Sequence, residues 1–454
     1  MGCAGASVYF FRHYIRYIRK IKTAGFWLLL TAGLCIGRIS VRAGEPQTIS
    51  ENDLFSQAAV LMDASNGRVL YGKNEDTVLA MASTTKIITC IIALEYGDLE
   101  DTVTFSSYAA AQPKVKLGMS RGEQSSLGDL LYSLMLESHN DTAVAIAEHI
   151  GAQQLGWDPG QTADHSREES VEVVEAFLKL MNEKAAALGC ENTLYLTPNG
   201  LDASLEYEDG DGQTRELFHS TTATELARVM SYCVLASPRK EKFLEITQTS
   251  VYGFTDLSDQ HYYSCYNHNA FLTMMSGALS GKTGYTGRAG YCYVGALESE
   301  GRTFVVALLN CGAYGNQTKK WVDLRRLMEY GIKYYELTEI YEKPELSSIP
   351  VDGAVMEPES FFDAYEMPVS VTGEESLSVL LAEWEDARVS VEAAERLTAP
   401  VAVGTVVGTV SVSVAGELYR RFDIITEDDV EAKTWQDNIL YMAWLFFGNA
   451  SWQM

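Results

Sequence analysis

Residues 83–97 read STTKIITCIIALEYG, and Ile87, Ile88, Cys90, Ile91, Ile92 and Leu94 place apolar side chains on nearly every side of a helix over Thr84–Glu95. A helix that is apolar all round is covered on all sides by other layers of the protein. Gly97 is placed to end it, and Ser83-Thr84-Thr85-Lys86 opens it. The covering layers are legible on either side. Gln57–Ala64 (QAAVLMDA) and Arg68–Tyr71 (RVLY) flank Ser65-Asn66-Gly67, a turn that favours a hairpin. Leu127–Leu136 and Asp141–Ile150 read as two further helices, the second closed by Gly151, with the polar break Glu137-Ser138-His139-Asn140 between them. Residues 152–170 and 203–216 are polar and loop-like, while 171–188 and part of 217–235 have helical spacing. Ala289–Leu297 and Arg302–Asn310 read as paired strands, and Lys319–Glu336 as an amphipathic helix with Trp321, Leu324, Leu327 and Met328 on its apolar side. Strands at both ends with helices between them predict an α+β fold: an antiparallel sheet with flanking helices.

The chain is 454 residues long, which suggests two or three domains at roughly 150 residues each. Composition shifts near Lys343-Pro344-Glu345. Residues 346–430 are rich in Val, Ser and Thr in short alternating runs, with Val401–Val414 (VAVGTVVGTVSVSV) the clearest, and read as a small all-β domain after a first domain over 44–345. In the tail, 431–454, Ile439–Phe447 (ILYMAWLFF) is too short to span a bilayer. It suits either peripheral contact with a membrane interface or packing on the protein.

Charge is uneven. The formal net charge is −26, yet residues 1–43 hold seven basic side chains and no acidic one, so the remainder (28 basic against 61 acidic) carries −33. A body that acidic repels phosphate backbones, and nucleic-acid binding is excluded as a function class. The basic start leads into Ala24–Gly37, a mostly apolar run that matches the core of a secretory signal better than a bilayer span. Val41-Arg42-Ala43 offers a small-residue cleavage site before Gly44, so residues 1–43 read as an export signal, with an uncleaved anchor as the alternative. Beyond them, Cys90, Cys190, Cys233, Cys265, Cys292 and Cys311 are too widely spaced for CxxC redox or zinc-knuckle motifs, so the cysteines are expected to form no metal or redox site.

Chemistry concentrates in three short motifs. Residues three apart share a helix face, so Lys86 reaches back beside Ser83. The lysine can take the serine proton only when neutral, which demands burial or a second cation nearby. Ser237-Pro238-Arg239-Lys240 has the same spacing but precedes no buried helix. Ser138-His139-Asn140 sits in a tight interhelical break, a rigid mount for a hydroxyl and an amide. Lys282-Thr283-Gly284 precedes the paired strands and offers the second cation, a hydroxyl for a carboxylate, and a glycine that permits close backbone approach.

S-x-x-K, S-x-N and K-T-G in this order form the signature set of penicillin-binding proteins and class A β-lactamases. With Met81–Ile87, Ser138-His139-Asn140-Asp141, Thr197-Pro198-Asn199-Gly200-Leu201-Asp202, His219-Ser220-Thr221 and Gly281–Thr286, the chain resembles the serine D-alanyl-D-alanine carboxypeptidases of peptidase family S11, the low-molecular-mass penicillin-binding proteins. The resemblance covers roughly residues 55–335 and, more weakly, the β domain. It implies a β-lactamase/transpeptidase-like first domain and a bacterial cell-envelope enzyme that acts on peptidoglycan stem peptides and binds β-lactams. By carry-over, Ser83 is the nucleophile, Lys86 its general base and Ser138 a proton relay to the leaving D-alanine. The N–H groups of Ser83 and Tyr285 form the oxyanion hole. Asn140, Lys282, Thr283 and Gly284 bind substrate, and Arg288 is a further carboxylate ligand. D,D-endopeptidase action on cross-links, or an idle penicillin-binding sensor of the wall, are the alternatives. A β-lactamase is disfavoured, because no loop between Asn140 and Lys282 offers a convincing deacylating base.

Overall fold

The computed structural model describes residues 48–447 apart from 209, 211, 314, 358 and 359, together with the two-residue strand Arg38–Ile39. The expected export signal and its cleavage site otherwise lie outside the described residues, as does the end of the tail from 448. Two compact units divide the chain. One comprises Val41–Thr338 and Ser378–Glu385, the other Met1–Ser40, Glu339–Leu377 and Asp386–Met454.

The first unit is built on a five-stranded antiparallel sheet. Its strands in chain order are β1 (Ala58–Asp63), β2 (Val69–Lys73), β3 (Ala278–Thr286), β4 (Gly290–Ser299) and β5 (Arg302–Leu309), ordered β3-β4-β5-β1-β2 across the sheet. All six residues of β1 are buried. Side chains alternate between the faces of a strand, and both faces here are covered. Ala58, Val60 and Met62 join the core on the side of the buried helix α1 (Lys86–Tyr96), whereas Ala59 and Leu61 pack with Phe304, Leu324, Leu327 and Met328 on the other. The second layer is the amphipathic helix Lys319–Tyr334. This is the α+β, antiparallel architecture that the pattern predicts.

Local departures from the sequence reading have physical causes. The helix that starts at Asn140 runs through Gly151 to Leu155 and ends at Gly156, whose φ is +71°. Gly151 is instead a packing residue: a Cβ there would lie 1.8 Å from the Val173 carbonyl oxygen, so glycine lets this helix meet the helix Arg167–Ala187. The polar stretch expected to be loop is an exposed hairpin, Ser204–Glu208 paired with Thr214–Phe218. A second hairpin, Val251–Thr255 with Tyr262–Tyr266, buries Phe254 and Cys265 on one face. Lys282-Thr283-Gly284 does not precede the paired strands; it lies inside β3, the strand at the sheet's edge. All six cysteines after residue 43 are buried free thiols.

The second unit is mostly β. Its main sheet orders Arg38–Ile39, Ala387–Ala393, Val406–Val414, Glu417–Thr426 and Val369–Val371. Its terminal helix, Trp435–Phe447, leaves Trp435, Ile439, Leu440, Met442, Leu445 and Phe446 exposed, while Tyr441 stacks on Phe361. Among the described residues no helix is long and apolar enough to cross a membrane.

Candidate active site

The turn before α1 sets the first side chains. Ala82–Thr85 forms a single 3-10 turn, and Ala82 holds a φ of +50°, a strained left-handed conformation for a residue with a Cβ. Ser83 follows at the mouth of a cleft and Lys86 is fully buried on the first turn of α1. Lys86 Nζ lies 3.1 Å from Ser83 Oγ, 2.8 Å from Asn140 Oδ1 and 2.6 Å from the Asn199 carbonyl oxygen. Burial pushes its pKa well below the usual lysine range, and the nearby Lys282 pushes the same way against Asp141.

The helix beginning Leu127–Tyr132 widens over Ser133–Glu137 and stops at Ser138, which is left-handed at φ +66°. Asn140 then begins the next helix, and its amide also donates to the Pro113 carbonyl at 3.2 Å. The two halves of S-x-N are thereby held on opposite sides of one sharp corner. His139 faces away, with Nδ1 2.8 Å from Ser133 Oγ.

Strand β3 closes the site. Lys282 is buried, its Nζ 2.8 Å from Ser138 Oγ and 3.1 Å from the Thr283 carbonyl, and desolvation lowers its pKa to about 7. A Cβ on Gly284 would stand 2.9 Å from the Ser83 backbone nitrogen, so this glycine lets the strand pass beside the serine. Tyr285 and Thr286 continue along the free edge. The resulting cleft has a volume of about 630 Å³ and is lined by Ser83, Ser138, Asn140, Lys282, Thr283, Gly284 and Tyr285. Of the expected site residues, Lys86 lies buried behind Ser83, 3.1 Å from its Oγ, rather than on this lining, and Arg288 is absent from it altogether. It pairs with Glu216 at 3.1 Å and lies over the Phe218 ring at 4.0 Å, both on the exposed hairpin. A second cavity of about 510 Å³ is lined by Glu95, Lys184 and Tyr232, whose polar atoms bond one another, and it holds none of these residues.

Two contributors escaped the sequence reading. The Asn199 carbonyl belongs to Thr197–Asp202, which lies outside the three motifs, although Pro198-Asn199-Gly200 is a tight-turn signal. Lys320 also lines the cleft, buried with Nζ 2.8 Å from the Gln317 carbonyl, 4.8 Å from the Trp321 ring and 5.0 Å from that of Tyr291. Residues 320, 324, 327 and 328 form one helical stripe, so the periodicity that buried Leu324 also placed Lys320 inward.

The profile of the D-alanyl-D-alanine carboxypeptidases of peptidase family S11 matches residues 45–156 and 172–312, more than half of the chain and all three motifs. The chain belongs to this family. The profile of the penicillin-binding protein 5 C-terminal domain matches residues 345–432. D-alanyl-D-alanine carboxypeptidase DacF of Bacillus subtilis is 25% identical over 387 residues, 83% of this chain and 86% of the relative. DacB2 of Mycobacterium tuberculosis is 30% identical over 255 residues, 56% of this chain and 74% of the relative. Among solved structures, the D-alanyl-D-alanine carboxypeptidase DacD of Francisella tularensis superposes with a TM-score of 0.59 at 21% identity, covering 86% of this chain and 98% of that one, which shows the shared fold.

Proposed function

We propose that the protein removes the terminal D-alanine from peptidoglycan stem peptides ending in D-Ala–D-Ala, through an acyl-enzyme on Ser83, and that β-lactams acylate the same serine. One observation carries the reading: Lys86 is buried beside a second buried lysine and has three acceptors within 3.1 Å, one of them Ser83 Oγ. A neutral amine has two N–H bonds and one lone pair. The shorter contacts, to Asn199 O and Asn140 Oδ1, take the two N–H bonds and leave the lone pair facing Ser83 Oγ.

In the first half-reaction Lys86 takes the Ser83 proton as Oγ attacks the carbonyl carbon of the penultimate D-alanine. The oxyanion is received by the N–H groups of Ser83 and Tyr285. Lys282 and Thr283 hold the terminal carboxylate, and the second buried cleft lysine, Lys320, assists. Ser138 passes a proton to the leaving nitrogen, the C–N bond breaks and D-alanine departs. Water then attacks the ester, releasing the shortened peptide and returning the proton to Ser83. β-Lactams react by the same attack, with the ring C–N bond as the one broken. No step calls for a metal or an organic cofactor.

The reading places the protein outside the cytoplasmic membrane, exported through residues 1–43, with the exposed apolar side chains of Trp435–Phe447 resting at the membrane interface. The test follows free D-alanine from a peptide ending in D-Ala–D-Ala, with wild type beside Ser83→Ala, and labels both with a fluorescent penicillin. Ser83-dependent release together with Ser83-dependent labelling is the expected result. Labelling without release would sink the carboxypeptidase reading, and the absence of both from folded protein would sink the nucleophile assignment.

A further inference from the structure

We infer that His219 is a positioning residue for this reaction, one that holds the Asn199 carbonyl against Lys86 and thereby aims the lysine lone pair at Ser83. The inference rests on the function proposed above and extends it to a side chain that touches neither substrate nor nucleophile.

His219 is buried, and its two ring nitrogens bond two different segments of the site. Nδ1 lies 3.0 Å from the Leu196 backbone N–H, and Nε2 lies 2.7 Å from Thr85 Oγ1. The backbone N–H can only donate, so Nδ1 is the unprotonated nitrogen. A neutral ring then carries its proton on Nε2 and donates it to Thr85. Thr85 Oγ1 passes its own hydrogen to the Ala82 carbonyl at 2.8 Å. The chain of bonds therefore runs from the start of the 196–200 loop, through the imidazole, to the strained residue that immediately precedes the nucleophile. Desolvation, with Lys86 adding to it, lowers the His219 pKa to about 3, which fits the neutral tautomer that the bonds require.

The loop that His219 grips is the one whose Asn199 carbonyl accepts from Lys86 Nζ at 2.6 Å. It is pressed closely on the nucleophile turn. A Cβ on Gly200 would fall 2.1 Å from the Ala82 carbonyl oxygen, and Thr89 Oγ1 donates to the Pro198 carbonyl at 2.6 Å. The backbone around His219 is itself pinned. Ser220 pairs with Leu194 and Thr221 with Leu79, so the imidazole projects from a fixed mount. Without the imidazole, the Leu196 N–H and the Thr85 hydroxyl each lose a buried partner. The carbonyl is then free to drift from Lys86. A drift of that kind rotates the amine and misdirects its lone pair without altering the carboxylate-binding side of the cleft, so its cost falls on the chemical step.

The test uses the purified full chain as wild type, His219→Phe, His219→Gln and Thr85→Val. It reads the rate of Ser83 acylation by a fluorescent penicillin, together with kcat and KM for D-alanine release. His219→Phe is expected to slow acylation and lower kcat about tenfold with KM held within about twofold. His219→Gln, whose amide N–H can reach Thr85, is expected to recover most of the loss. Thr85→Val, which removes only the bridging hydroxyl, is expected to reproduce the kcat-specific loss and carries the test should His219→Phe fail to fold. Equal impairment in the Phe and Gln variants, a matched rise in KM, or wild-type kcat in Thr85→Val would overturn the inference. Wild-type protein that is acylated at Ser83 but releases no D-alanine would instead overturn the proposed function, and the acylation rates would still decide the role of His219.

Discussion

Lys282 Nζ lies 2.8 Å from Ser138 Oγ, so a buried lysine on the sheet's edge strand is tied directly to a hydroxyl held in a left-handed corner between two helices. The bond joins two sequence motifs 144 residues apart, and in the proposed mechanism Lys282 has two duties: to attract a carboxylate and to keep Lys86 neutral.

The pH dependence follows from the two lysines. Lys86 works only as the free amine, so kcat/KM rises with pH through its lowered pKa. Lys282 attracts a carboxylate only when protonated, so kcat/KM falls again as pH rises through about 7. The expected profile is a bell whose alkaline limb is carried by Lys282, and Lys282→Arg, which stays charged, is expected to move that limb upward. Stability has its own sign. Between about 7 and 10.5 the unfolded lysine holds a proton that the folded one has lost, so stability should rise with pH across that window. Denaturant unfolding of wild type and Lys282→Met at several pH values checks this. An equal pH slope in both would contradict it.

Asn140→Asp is a sharp test of the amine's neutrality. Asn140 Oδ1 sits 2.8 Å from Lys86 Nζ, so the substitution keeps the shape and adds a negative charge against the lysine. An opposite charge at that distance raises a lysine pKa. Acylation by penicillin at pH 7 is expected to fall by about tenfold or more, with the acid limb displaced to higher pH. A variant that acylates at the wild-type rate at pH 7 would show that Lys86 is not the base.

Lys320 and Arg288 should separate cleanly. Lys320 lines the cleft and is buried, whereas Arg288 is engaged with Glu216 and Phe218 on the hairpin. Lys320→Met is expected to raise KM about tenfold for peptides with a free terminal carboxylate while leaving kcat nearly unchanged. Arg288→Ala is expected to leave KM within about twofold. Steady-state kinetics of the two variants side by side decide between them, and the reverse pattern would return the carboxylate to Arg288.

Much of the fold and of the site is legible in the sequence. The all-round apolar pattern of Ile87–Leu94 required a buried helix, and burial of that helix carries Lys86 into the low-dielectric interior where its chemistry becomes available. The rest is information that residue types do not encode locally. The third acceptor on Lys86 is a backbone carbonyl, and every residue has one; only the fold selects Asn199. Gly151 looks like a helix end because glycine usually terminates helices, yet here the close approach of the Val173 backbone dictates it. The hairpin at 204–218 lacks the apolar alternation of a strand because nearly all of its side chains are exposed.

Gly200 tests whether the loop and the nucleophile turn act as one unit. Its φ is +84°, and a Cβ there would lie 2.1 Å from the Ala82 carbonyl oxygen and 2.9 Å from Thr85 Oγ1. The left-handed backbone alone costs an alanine about 1–2 kcal/mol, and the overlap with a backbone oxygen adds to it because that oxygen cannot rotate away. Relief requires the loop to move off Ala82, and the Asn199 carbonyl, one residue back, must move with it and leave Lys86. Gly200→Ala is therefore expected to lower the melting temperature and also to slow Ser83 acylation. The two effects differ in how they respond to conditions. Osmolytes that restore stability should not restore the rate, because the displaced carbonyl belongs to the relaxed native state. Melting curves and penicillin acylation rates with and without trimethylamine N-oxide check this. A rate that recovers with stability would mean that the loop is only a structural prop, whereas a rate that stays low places the Asn199 carbonyl among the groups that set the chemistry of Lys86.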